Sequence, residues 1–195
     1  MWDSDPVLVF LVTGATGAGK STLVHTLRDR GHRAISLDAD PRLCAWTDAA
    51  GHRVESPAEP DAAWLSAHRW SWDPSRLDEI IAAGTGRLMW LCGYAANAAE
   101  LAGRFDAVFI LDIGVETMRH RLRHRAGGND FGRTEATLGA AEIYFREFTA
   151  AWRDRDAVTV DAAGNPQEVT DRVLAAAARI APDVVTGSGG EPLPR

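Results

Sequence analysis

The chain has only two cysteines, Cys44 and Cys92, and they form neither a C-x-x-C pair nor the dense spacing of a disulfide framework. Cys92 closes an apolar run, which marks it as a small buried residue rather than a nucleophile. Long hydrophobic runs are missing as well. The apolar stretch at residues 7–12 is far too short to span a bilayer, and no basic start with a cleavage-site pattern marks a secretory leader. A cytoplasmic protein with no membrane partner is the expectation. A broad basic footprint is also absent: the formal net charge is −6 and acids and bases are interspersed, which argues against a nucleic-acid partner. Asp, His and Cys positions lack a compact ligand pattern, which argues against a zinc enzyme. Across 195 residues no abrupt change of composition marks a second domain.

Against these absences stands one dense signal near the N-terminus. Gly14-Ala15-Thr16-Gly17-Ala18-Gly19-Lys20-Ser21 satisfies the phosphate-loop pattern G-x-x-x-x-G-K-[ST] and directly follows the apolar run at 7–12. Residues 21–30 then carry Leu23, Val24 and Leu27 at helical spacing. A glycine-rich turn between a buried strand and a helix lets backbone N–H groups approach phosphate oxygens, with the positive helix end behind them. In that pattern Lys20 reaches the β- and γ-phosphates, Ser21 supplies a hydroxyl to Mg²⁺, and Thr22 continues the cradle. ATP is favoured over GTP as the cofactor, because no Asn/Thr-Lys-x-Asp guanine signal follows.

The remaining pattern alternates strand and helix. Strands are expected over 33–37, 87–91, 107–111 and 157–160, and helices over 95–102, 115–125, 135–152 and 166–180. Residues 41–60 are weakly periodic, and 64–72 with 74–83 read as a helical or mixed insertion facing the substrate. Such alternation predicts a parallel three-layer α/β fold. The domain is expected to occupy residues 1–180, with 181–195 a Gly/Pro-rich flexible tail.

The loop at 14–21, followed by Leu37-Asp38-Ala39-Asp40, resembles the opening of the small P-loop kinases, a family that includes shikimate, gluconate and adenylylsulfate kinases. Chloramphenicol-type phosphotransferases and nucleoside monophosphate kinases share that layout. The resemblance implies a P-loop NTPase fold with a five-stranded parallel sheet and a short arginine-bearing lid. It matches Asp40 to the acceptor-binding and candidate base position and Asp38 to an acid near the metal and acceptor, with the reverse assignment open. Both acids fall at a strand's carboxyl end, on the phosphate-loop rim. By the same resemblance, the 116–125 segment runs into a lid, with Arg121 and Arg125 at the best-matching positions. Spaced four apart, they share a helical face and can clamp phosphates, with Arg119 and Arg123 as lesser substitutes. Residues 129–133, with glycines at 127, 128 and 132, form the expected lid hinge. The loop holding Asn165 and Pro166 resembles the one that borders adenine.

The usual acid on the third strand is missing from residues 88–93, which argues against a motor or switch ATPase. Trp46, Trp64, Trp70 and Trp72 crowd the middle region with His68 and Arg69, and are candidates to stack on an acceptor and bind its polar groups. Asn97 is a secondary acceptor candidate. These residues imply ATP-dependent phosphoryl transfer to a small molecule by a monomer or homodimer. A nucleoside or nucleotide stands first as acceptor, and an antibiotic or other cyclic metabolite second. A nucleotide-binding regulatory protein is the contrasting reading.

Overall fold

A computed structural model describes residues 6–125 and 131–185. Five parallel strands form the central sheet in the order β2-β6-β1-β7-β8: β1 (Leu8–Thr13), β2 (Ala34–Ser36), β6 (Leu88–Cys92), β7 (Ala107–Asp112) and β8 (Val158–Asp161). Between β2 and β6 the chain inserts β3 (Cys44–Thr47), β4 (Arg53–Val54) and β5 (Arg69–Trp72), a separate antiparallel sheet in the order β4-β3-β5. The helices are α1 (Lys20–Asp29), α2 (Ala62–Ala67), α3 (Pro74–Ala82), α4 (Val115–Arg123), α5 (Glu135–Trp152), α6 (Pro166–Ala178) and α7 (Pro182–Val185).

The central strand β1 pairs with β6 on one edge and β7 on the other, and helices cover its two faces. Its residues alternate between two cores, as a period of two requires. Phe10 and Val12 join Trp90, Phe109, Leu27 of α1 and Val173 of α6, while Val9 and Leu11 join Met89, Leu91, Leu77 of α3 and Phe148 of α5. Phe10 meets Trp90 edge-on at 5.3 Å between ring centroids, a favoured aromatic geometry. This is the three-layer α/β architecture that strand–helix alternation implied.

The middle insertion is mixed, with α2, β5 and α3 in succession, and in it Trp46 pairs opposite Trp70, and Thr47 opposite Arg69, in β-register. Two expectations are corrected. The alanine-rich stretch at 95–102 makes turns rather than an α-helix, closing in a short 3-10 helix at Ala102–Arg104. Asn97 accounts for the turn, since its side chain accepts the Trp72 N–H at 3.0 Å and donates to the Trp72 carbonyl at 2.9 Å. Order also continues past residue 180, for α7 places Val185 in the core beside α6. Residues 186–195 of the expected tail, and residues 127–130 of the expected lid hinge, lie outside the described residues. Among the described residues no helix is long and apolar enough to cross a membrane.

Candidate active site

The phosphate loop leaves β1 at Thr13 and enters α1 at Lys20. Gly17 and Gly19 have φ of 81° and 99°, a left-handed backbone that L side chains resist and glycine adopts freely. That geometry leads the chain into α1, where the Leu23 N–H closes the first turn on the Gly19 carbonyl at 2.9 Å. Around the loop lies a cavity of about 810 Å³, lined by residues 16–23 together with Asp38, Arg121, Arg125, Ala162, Gly164 and Pro166. Thr22 and Ser21 line it from the first turn of α1.

Lys20 is only 8% exposed, and its Nζ donates to the carbonyls of Gly14 at 2.7 Å and Ala15 at 3.1 Å. Burial lowers its pKa from the ordinary lysine value; Asp38 partly opposes that shift and Arg125 adds to it. Asp38 sits on the 3-10 turn Leu37–Ala39, where its Oδ1 accepts the Tyr94 N–H at 3.0 Å. The carboxylate opens onto the cavity yet has protein packed around it, which pushes its pKa up, while Lys20 and the Tyr94 amide pull it down. Gly93 allows this approach: a Cβ there would lie 2.8 Å from the Leu37 Cβ and 2.9 Å from Trp72.

Asp40, matched to the acceptor and base position, is placed elsewhere. It does not line the phosphate-loop cavity. Its Oδ2 accepts from Arg76 Nε at 3.0 Å and Nη2 at 2.8 Å, and its Oδ1 accepts the Arg42 N–H at 2.8 Å. Hydrogen bonding to Arg76 holds its carboxyl below the usual range. A carboxylate with a depressed folded pKa contributes stability that is present above the ordinary aspartate pKa and lost as pH falls through the depressed one. Asp40→Asn is therefore expected to lower the melting temperature near neutral pH, and to remove that contribution to acid unfolding. Thermal melts from about pH 7 to about pH 2 read both effects; identical curves for variant and parent would refute the joint.

Two of the four lid arginines reach the cavity. Arg121 donates to the carbonyls of Gly17 at 3.2 Å and Ala162 at 2.9 Å, stitching the phosphate loop to the loop after β8. Arg125 lines the same cavity, and burial lowers its pKa, with Arg133 adding to the effect. Arg119 is instead committed to Glu116 and Glu142, tying α4 to α5, and Arg123 is exposed. Pro166 lines the cavity. The Asn165 side chain instead caps α6 by accepting the Glu168 N–H at 3.0 Å.

The tryptophans group differently from the expectation. Trp46 packs against Trp64 at 5.1 Å and Trp70 at 5.7 Å, and Trp64 stacks on His68 at 4.2 Å. None of these four lines the phosphate-loop cavity. Trp72 is 2% exposed, and with Arg69 and Asn97 it borders a second cavity of about 660 Å³. Arg69 is engaged by Glu147 at 2.9 Å and lies over the Tyr144 ring. Sequence reasoning missed Arg76 and Tyr94. The R-x-x-E spacing of Arg76 and Glu79, and the place of Tyr94 just beyond the β6 rim, were the available signals.

No protein-family model matches the chain. A curated nucleotide-binding protein of Novosphingobium aromaticivorans is 38% identical over 82 residues, covering 40% of this chain, which spans only 26% of that protein's length. Among solved structures, a gluconokinase from Sinorhizobium meliloti superposes with a TM-score of 0.54 at 19% identity, covering 94% of this chain and 98% of that one. A shikimate kinase from Acinetobacter baumannii, in complex with shikimate, gives a TM-score of 0.58 at 12% identity, covering 91% and 96%. At these identities the likeness speaks to architecture. With its β2-β6-β1-β7-β8 parallel sheet, flanking helices and glycine loop between β1 and α1, the chain has the P-loop NTPase α/β fold of those small-molecule kinases.

Proposed function

We propose that this protein is a P-loop small-molecule kinase that transfers the γ-phosphoryl group of ATP to an acceptor hydroxyl. The observation that carries the reading is the shared cavity, where Lys20, Asp38, Arg121 and Arg125 converge on the glycine loop. Lys20 and the loop amides hold the phosphates. Arg121 and Arg125 offset charge as the phosphoryl group moves. Asp38 orients the acceptor hydroxyl and takes its proton, and its raised pKa suits a base better than the Arg76-bound Asp40.

Mg²⁺ fits the donors in this cavity. Ser21 offers a hydroxyl, a hard oxygen ligand, and Asp38 a carboxylate that can hydrogen-bond the ion's waters, both lining this cavity. When bound, the ion would neutralise charge on the β- and γ-phosphates. Among the described residues no cluster of three His, Cys, Asp or Glu side chains could cage a metal. A sparse protein ligand set suits an ion that retains its waters.

The gluconokinase and shikimate kinase likenesses favour a hydroxyl acceptor on a small molecule. A nucleoside or nucleotide and a cyclic antibiotic or metabolite both remain within that class, because the tryptophans pack on one another rather than around the phosphate loop. The test is a panel of nucleosides, nucleotides, sugar acids, cyclic metabolites and antibiotics incubated with Mg-ATP. Mass spectrometry should find a phosphate-sized gain on one class. Tight ATP binding with no phosphorylated acceptor across the panel would overturn the kinase reading in favour of a regulatory one.

A further inference from the structure

Tyr94 adjoins two charged residues of the cavity wall, Asp38 and Lys20. It follows Gly93, whose lack of a Cβ lets the Asp38 turn press against the end of β6. The Tyr94 N–H then meets Asp38 Oδ1 at 3.0 Å. On its other side, the ring lies 5.7 Å from Lys20 Nζ, within the range over which an ammonium is attracted to an aromatic face. Phe148 of α5 neighbours the ring, with 6.0 Å between the centroids. Burial pushes the phenol well above the ordinary tyrosine range, so the ring stays neutral. The Lys20 ammonium donates to two loop carbonyls and also faces the Tyr94 ring.

We propose that Tyr94 is a positioning residue: its ring seats the Lys20 ammonium and its amide anchors Asp38, fixing the distance between the triphosphate and acceptor sides of the cavity. The proposal rests on the triphosphate reading of the cavity, but its readouts do not require phosphoryl transfer. Lys20 is the chain's one lysine, so acylation of a lysine side chain reports on this single group, and peptide mass separates it from the N-terminal amine. Tyr94→Leu and Tyr94→Met should weaken ATP binding about tenfold and speed Lys20 acylation several-fold, whereas Tyr94→Phe, which keeps the ring, stays within about twofold of the parent. Phe148→Leu loosens the same core without removing the ring from Lys20. It should lower the melting temperature and leave Lys20 acylation unchanged.

Three results would overturn the proposal: Tyr94→Leu and Tyr94→Met matching the parent in both readouts, Tyr94→Phe losing as much as they do, or Phe148→Leu accelerating acylation equally. A failed acceptor panel with these shifts intact would remove the kinase reading and leave the role of Tyr94 standing.

Discussion

Lys20→Met is expected to lose more than about 100-fold of any phosphoryl transfer and most of the triphosphate affinity, while melting no lower than the parent chain. The functional loss follows from placement. Lys20 is the only lysine in the sequence, and the nearest other cations of the cavity, Arg121 and Arg125, approach from α4 and beyond it rather than from within the loop. The stability half follows from desolvation. Burial lowers the Lys20 pKa, so in the folded state the ammonium is disfavoured relative to the unfolded chain. Between the lowered folded value and the ordinary lysine value the unfolded chain binds more protons, so stability rises as pH climbs through that window. Near neutrality the charge is a cost, and a methionine of similar length removes it. Isothermal titration with ATP and a thermal melt decide the matter; a variant that binds ATP normally would refute the role of Lys20.

The donor half of this site was legible because it is local. A strand, a glycine loop and a helix occupy consecutive residues, and each has its own pattern in sequence. Asp38 and Asp40 were legible as a pair, yet not as individuals, because what separates them is remote. Arg76 lies thirty-six positions beyond Asp40, at the start of α3, and reaches back to bind it. Tyr94 approaches Asp38 from a separation of fifty-six. No periodicity encodes such pairings.

The middle region was less legible for a related reason. Aromatic crowding over residues 46–72 suggested a ligand wall, but β-pairing sets Trp46 opposite Trp70 so that the rings satisfy one another. Helical composition at 95–102 lost to a side-chain bond, since Asn97 holds the Trp72 backbone and the chain must turn there. In both cases tertiary contact overrode a local preference.

Asp38→Asn is expected to cut phosphoryl transfer by about 10²- to 10⁴-fold while leaving ATP affinity within a few-fold of the parent. The base must be ionised to accept the hydroxyl proton, so the rate rises with pH through the Asp38 pKa. Protein packed around Asp38 raises that pKa, which sets the acid limb of kcat/KM above the ordinary aspartate range, and the limb disappears in the variant. Stability moves the opposite way from Asp40. A carboxylate whose folded pKa is raised contributes stability only below its unfolded pKa, and that contribution is lost as pH rises through the folded value. Asp38→Asn should therefore melt no lower than the parent near neutrality, whereas Asp40→Asn loses the Arg76 joint and melts lower. A raised carboxylate pKa in the cavity beside Lys20 is the kind of perturbation that clusters at functional sites. Should Asp40→Asn abolish transfer while Asp38→Asn retains both the rate and its acid limb, the base is Asp40, and the Arg76 pair must open when the acceptor enters.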